Sequence, residues 1–306
     1  MRRAQTNAAT LLFREMDVLA AAIHLLGDGE GLNILSFGCS IGDELATLRS
    51  LFPRARLQGC DINREALAIA TASVGHLAEV FESDEAAIRA RGPYDLICAF
   101  SVLCVNPMPK PEEMPRIFPF SQFEDMVGLL AGVLKPGGLL ALKNTSYLFS
   151  QTEAFADFDI CRIGSTYQNG YVAVLHKDQR IALSIQNTLT LPMHRIVDVE
   201  GLSDWDFIDS LFRKRGGPGG QEIIPISVIQ DRPPGSREIG RWTRSNLDML
   251  RPGVDRTGLL EIRQEFVSFT SSGHPGRVLL EQTSLRQPLD GGPLRQVAFH
   301  RVLSDQ

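Results

Sequence analysis

From about residue 32 to 143 the chain alternates short apolar runs with segments whose apolar positions recur every three or four residues. The short runs predict strands at Asn33–Phe37, Arg56–Cys60, Ala78–Phe81, Asp95–Phe100 and Leu139–Lys143. The periodic segments predict helices at Asp43–Leu51, Arg64–Val74 and Gln122–Leu134. The last helix is closed by Lys135-Pro136-Gly137-Gly138, where Gly137 suits the left-handed residue beyond a helix end. Strands alternating with helices imply right-handed crossovers and a mainly parallel sheet covered on both faces. Upstream, Leu12, Met16, Leu19, Ile23 and Leu26 fall on one face of an amphipathic helix.

Beyond residue 150 the rhythm changes. Tyr171–Leu175 and Arg180–Ile185 flank His176-Lys177-Asp178-Gln179 and predict an antiparallel hairpin. Asp204–Arg215 reads as a helix, and Gly216-Gly217-Pro218-Gly219-Gly220 breaks regular structure. Glu222–Ile229, Leu259–Thr270, Val278–Arg286 and Leu294–Leu303 then read as strands separated by turns. The chain divides into an N-terminal amphipathic helix (1–29), an α/β domain (30–215) and a β-rich appendage (216–306).

Composition narrows the partners. The 306 residues carry a net charge of -5, with 43% apolar and 22% charged positions. That balance is ordinary for a globular protein and argues against a nucleic-acid binder, which presents a basic face. The one dense basic cluster, Arg213-Lys214-Arg215, reads as a solvated helix end. The five cysteines are odd in number and include no C-x-x-C, which fits buried free thiols in a reducing, cytoplasmic setting. No stretch reaches the length of a membrane span, and no metal-ligating pattern occurs.

The chemistry concentrates in Gly38-Cys39-Ser40-Ile41-Gly42, between the first strand and the first helix of the domain. Two readings fit. As G-x-S-x-G it is a nucleophile elbow with Ser40 as attacker and His274 or His300 as partner. As a glycine turn it cradles an anionic ligand group on backbone N–H groups and the positive helix end. The elbow normally follows several strands, whereas this turn follows the first. Asp61, ending the second strand, can accept both hydroxyls of a ribose and favours the cradle.

These residues resemble the class I S-adenosylmethionine-dependent methyltransferases. Ser36-Phe37-Gly38-Cys39-Ser40-Ile41-Gly42 is similar to that family's E/D-x-G-x-G-x-G loop, and Gly38–Glu44 to the G-C-S-x-G-E-E version of chemotaxis-receptor methyltransferases. Asp61, Tyr94-Asp95-Leu96-Ile97 and Leu134-Lys135-Pro136-Gly137-Gly138-Leu139-Leu140 follow in the family's order, so the resemblance spans about residues 30 to 190. It implies a Rossmann-like, doubly wound, mainly parallel seven-stranded sheet, with the 171–185 hairpin as its antiparallel sixth and seventh strands and a C-terminal antiparallel extension.

The resemblance also implies S-adenosylmethionine as cofactor. The backbone at Gly38, Cys39 and Gly42, with the Ser40 hydroxyl, would hold the methionyl part, and Asp61 the ribose. Ile62 would pack beside the adenine, Ser83 or Asp84 would meet its amino group, and Phe100 and Ser101 would border the transferred methyl. Two positions depart from the pattern: Ser36 replaces the loop's usual acid, for which Asp43 or Glu44 could substitute, and Ser40 replaces its middle glycine.

The implied reaction moves a methyl group to oxygen or nitrogen, less readily carbon, of a small metabolite or biosynthetic intermediate. Candidate bases are Tyr147, Glu112, Glu113, His176 and His194. The proline-rich connection Val105–Ser121 offers Met108, Met114, Phe118 and Phe120 as an apolar lid. The appendage is read as a substrate-recognition or homodimerisation element. Competing readings are a silent cofactor-binding scaffold or sensor, a nicotinamide-dependent oxidoreductase, and the serine hydrolase.

Overall fold

A computed structural model describes residues 10, 12, 14–27, 30–105, 113–163, 174–178, 181–188, 191–196, 202–207, 209–217, 219–226, 236–245, 259–271, 274–288 and 295–303. The N-terminal periodicity becomes α1 (Met16–Leu26), which buries Val18, Leu19, Ala21 and Ala22. Strands β1 (Asn33–Phe37), β2 (Arg56–Asp61), β3 (Glu79–Glu82), β4 (Tyr94–Phe100) and β5 (Leu134–Lys143) run parallel. Helices α2 (Asp43–Leu51), α3 (Arg64–Val74) and α4 (Glu85–Arg91) link the first four. Helices α5 (Met114–Ile117) and α6 (Phe120–Gly132) precede β5.

The helix starts follow local chemistry. Asn63 accepts from the Glu65 and Ala66 amides to begin α3, and Asp84 accepts from the Ala87 amide to begin α4. Helix α4 is absent from the sequence reading because only Ile88 faces the core, too little for a visible period. On one face of the sheet Leu35, Ile97, Ala99, Leu140 and Leu142 pack with Ile88 and with Phe123, Val127 and Leu130 of α6. Burying each such side chain contributes about 1.5–3 kcal/mol.

Strand β5 corrects one expectation. Helix α6 ends at Gly132, and the Lys135–Gly138 turn lies inside the strand. The register jumps from Tyr94↔Leu134 to Leu96↔Leu139, so the turn bulges out, with Gly137 at φ 80°. Lys135 Nζ reaches Asp95 Oδ2 at 2.7 Å, and the Asn33 amide donates to the same oxygen at 2.7 Å. This turn therefore staples the amino ends of β1, β4 and β5.

Next come β6 (Phe158–Arg162), β7 (Val174–Leu175), β8 (Ile181–Thr188), β9 (Leu191–Ile196), β10 (Leu211–Lys214) and β11 (Ile223–Pro225). The main sheet has the order β11-β6-β10-β5-β4-β1-β2-β3, eight strands rather than the expected seven, because β11 adds an edge parallel to β6. Strand β10 is antiparallel to both β5 and β6.

The hairpin around residues 176–178 does form, with β7 antiparallel to β8, but it builds a separate sheet β7-β8-β9. The antiparallel strand of the main sheet comes instead from the segment expected to be a helix. There Asp204–Phe207 is one turn of 3-10 helix and Leu211–Lys214 is strand. Leu211 and Phe212 are adjacent and both buried, since a central strand is covered on both faces. Consecutive apolar residues of that kind give no period-two signal.

The chain splits into two compact units: Met1–Asn187 with Pro192–Pro225, and Thr188–Leu191 with Ile226–Gln306. The second contains β12 (Ser236–Ser245), β13 (Leu259–Ser271), β14 (His274–Pro288) and β15 (Arg295–Leu303), an antiparallel meander in sequence order. No helix among the described residues is long and apolar enough to cross a membrane, and no cluster of His, Cys, Asp and Glu there could hold a metal.

Candidate functional site

The chain runs outward from β1 through β2 and β3, then returns to β4 on the other side of β1. In such sheets the crevice beyond the carboxyl ends, where the order reverses, is where ligands bind. The glycine turn leaves β1 at that point. Gly38 has φ 80° and Gly42 φ 100°, and a Cβ on either would lie 2.4 Å from Val102 or 2.6 Å from Val74. Only glycine fits both positions.

The turn is tied to β2. The Gly38 and Cys39 amides donate to the Cys60 carbonyl at 2.8 and 3.0 Å, and the Ser40 amide donates to Asp61 Oδ2 at 2.9 Å. Asp61 Oδ1 accepts from the Asn63 amide at 2.8 Å. Each carboxylate oxygen has a second lone pair, so half-buried Asp61 keeps capacity for two hydroxyl donors.

The acid missing at position 36 is supplied from helix α2. Ser36 Oγ donates to Glu44 Oε1 at 2.7 Å, and Glu44 is only 3% exposed. Arg14 Nη2, from the segment before α1, lies 3.3 Å from Glu44 Oε2 and donates to the Phe100 carbonyl at 3.1 Å. Burial pushes the Glu44 carboxyl up from its ordinary range, against Arg14 and Ser36, which pull it down. Beside it, Glu15 pairs with buried Lys143 at 2.9 Å.

The ends of β4 and β5 close the crevice. The Ser101 amide donates to the Lys143 carbonyl at 2.8 Å, and Asn144 Nδ2 donates to Ser101 Oγ at 2.8 Å. Among the described residues, the non-glycine positions with positive φ are Glu15, Ser40, Ser101 and Asn144. Ser40, Ser101 and Asn144 leave the carboxyl ends of β1, β4 and β5, and Glu15 is held there through Lys143. Strained backbone gathered in one place is a mark of functional sites.

The remaining predicted residues divide. Ile62 is half-buried and Ser83 buried, its amide donating to the Asp61 carbonyl at 2.9 Å, so both flank Asp61. Asp84 is exposed and caps α4. Phe100 is buried at the end of β4. Tyr147 is fully buried; its hydroxyl donates to the Phe118 carbonyl at 2.9 Å among Phe118, Phe120 and Phe123. Burial raises its pKa to about 12, so Tyr147 is a core residue rather than a base.

The expected lid is corrected likewise, since Met114 and Phe118 belong to the core, while Met108 and Glu112 fall outside the described residues. Glu113 is exposed, directly before α5. His176 follows β7, whose Leu175 amide donates to the Ser146 carbonyl in the segment leaving β5. Its Nδ1 lies 2.7 Å from Asp178 Oδ1. The side chain of His194 in β9 falls outside the described residues, as do those of His274 and His300. Ser40 is 8% exposed.

All five cysteines are free and buried. Burial lifts the thiols of Cys60, Cys104 and Cys161 to about 12 and those of Cys39 and Cys98 higher still, so none is a poised nucleophile.

No family model and no curated protein matches the chain. Solved structures do. The plantazolicin methyltransferase BpumL, in complex with SAH, shares 16% identity over 42% of this chain and 45% of its own, with a TM-score of 0.32. StiE O-MT shares 22% over 48% and 52%, with a TM-score of 0.34. PKMT2 from Rickettsia typhi shares 16% over 44% and 26%, with a TM-score of 0.32. The chain spans about half or less of the length of each. TM-scores this low leave the functional assignment to the site's own chemistry.

Proposed function

We propose that the chain is an S-adenosylmethionine-dependent methyltransferase acting on an oxygen or nitrogen of a small metabolite or biosynthetic intermediate. One observation carries the reading: β10 runs antiparallel between the parallel β5 and β6. This antiparallel strand comes from residues 211–214 and not from the 171–185 hairpin that the resemblance implied, in a sheet whose reversal point holds the glycine turn and Asp61. A nicotinamide-binding fold has no use for that strand, and a hydrolase would need Ser40 to face its substrate, whereas it is buried.

The residues present fit the cofactor. The turn Gly38–Gly42 and the Glu44 carboxylate hold the methionine end, while Asp61 takes the ribose hydroxyls and Ile62 and Ser83 border the adenine. Phe100 and Ser101 face the reacting end. When bound, the cofactor supplies a methyl already activated by its sulfonium. What the chain must do is align the acceptor and exclude water. We take His176 as the base for a protonated acceptor; its Nδ1 accepts from the Asp178 amide at 3.3 Å and lies 2.7 Å from Asp178 Oδ1.

Titration calorimetry with S-adenosylhomocysteine tests the reading. The wild type binds, and Asp61→Asn binds about ten- to a hundredfold more weakly, the worth of charge-assisted bonds of about 1.5–3 kcal/mol. Absence of binding by the wild type would remove both the enzyme and the sensor readings. Binding with no methyl transfer from S-adenosylmethionine to any acceptor would favour the sensor.

A further inference from the structure

We infer that Arg213, Arg215 and the glycine stretch that follows β10 form a second binding site, which takes a phosphate group, free or carried by a small molecule. The site lies wholly within the first compact unit, at the end of the sheet opposite the cofactor crevice.

Arg213-Lys214-Arg215 was expected to be a solvated helix end, but Leu211–Lys214 is strand, and a strand turns successive side chains to opposite faces. Lys214 spends its ammonium on the carbonyls of Ala131 and Leu134. Arg213 and Arg215 both reach Asp159, the register partner of Arg213 on β6. A cavity of about 690 Å³ opens beside them. Its wall continues through Pro136 and Gly137 of the β5 bulge and through Gly216, Gly217, Gly219 and Gly220. The bulge belongs to the amino end of β5, whereas the glycine turn and Asp61 leave the carboxyl ends of β1 and β2.

The donors on this wall are underused. Arg213 Nη2 stands 3.6 Å and Arg215 Nη1 3.9 Å from the Asp159 carboxylate, which is attraction without a hydrogen bond. Asp159 Oδ1 is engaged by the Glu222 amide at 3.0 Å. The Arg213 side chain makes no hydrogen bond among the described residues. Arg215 Nη2 donates to the Ala156 carbonyl, while its buried Nε and Nη1 have no acceptor. Buried donors left unpaired are costly and call for one.

The backbone adds to this set. The amides of Gly216, Gly217, Gly219 and Gly220 make no hydrogen bond among the described residues. A Cβ on Gly217, Gly219 or Gly220 would meet nothing within 4 Å, so open space lies over their backbone. Bare amides beside a guanidinium fork are the donors that grip phosphate oxygens. Three cationic side chains on the wall face two carboxylates, Asp159 and Glu222, which leaves an excess of one positive charge. The volume is that of a small-molecule pocket, with room for more than a single ion.

Calorimetry with inorganic pyrophosphate, with and without saturating S-adenosylhomocysteine, tests the site. The wild type should bind pyrophosphate with a dissociation constant of about 1 mM or tighter, unchanged by S-adenosylhomocysteine because the two sites lie at opposite ends of the sheet. Arg213→Gln should weaken binding about tenfold, the worth of one charge-assisted hydrogen bond. Glu222→Gln removes an opposing carboxylate and should tighten binding about two- to fivefold. Arg89→Gln, an exposed arginine on α4, should change nothing. Ribose 5-phosphate binding more tightly than inorganic phosphate would assign the site to a sugar phosphate, and the reverse order to the free anion. No binding by the wild type, displacement by S-adenosylhomocysteine, or wild-type affinity in Arg213→Gln overturns the inference. Should Arg213→Gln not fold, exposed Glu222 decides: unchanged or weaker binding in Glu222→Gln refutes the site.

Discussion

At the scale of single residues the site is a set of substitutions for what the motif lacks. Ser36 stands where a carboxylate is usual, yet it binds one, because Glu44 reaches back from the first turn of α2. Both residues were legible in the sequence; their 2.7 Å bond was not, since nothing in the spacing separates Glu44 from its neighbour Asp43. Tyr147 shows the opposite failure. Its position after β5 suggested a base, but its ring closes the cluster with Phe118, Phe120 and Phe123. Replacing it by Phe should leave the Phe118 carbonyl unpaired and cost about 1–3 kcal/mol in a urea melt. The same variant should bind S-adenosylhomocysteine as the wild type does; unchanged stability with lost binding would return Tyr147 to the site. The strained backbone at Ser40, Ser101 and Asn144 had no sequence signal, because none of the three is glycine.

At the scale of elements, the sheet's parallel half was readable because its strands are short apolar runs separated by capped helices. β10 was not, and it is the element on which the other half depends. Phe212 is 3% exposed and packs edge-on to Phe149 at 4.9 Å and to Phe155 at 6.0 Å. Its neighbour Lys214 donates to the carbonyls of Ala131 and Leu134, tying the strand to the end of α6. Phe212→Ala should cost about 3–5 kcal/mol, the usual penalty for emptying a buried aromatic site. Denaturant unfolding would measure it, and a loss below about 1 kcal/mol would mean that β10 is not held in the core. The misread helix at 204–215 and the missed strand at β6 have one cause. A strand covered on both faces, or one only a few residues long, carries too little alternation to be told from a helical turn.

At the scale of the whole molecule, every residue of the candidate site belongs to the first compact unit, which ends at Pro225. A chain stopping at residue 225 should therefore still bind S-adenosylhomocysteine with wild-type affinity by calorimetry. Loss of binding on removing 226–306 would assign the meander β12–β15 a part in the cofactor site. The sequence marked this division by its glycine-rich stretch, but β11 lies beyond that stretch and still joins the main sheet, so the punctuation and the unit boundary differ. The reversed strand has one more consequence, for synthesis. β10 must slot between β5 and β6, yet it is made only after the whole stretch from Arg162 to Leu211. At about 5–20 residues per second a ribosome takes on the order of several seconds over that stretch. Throughout that interval β5 carries an open edge and the rings of Phe149 and Phe155 lack Phe212 to close over them. The nascent chain thus waits with the edge of β5 unpaired until β10 is made.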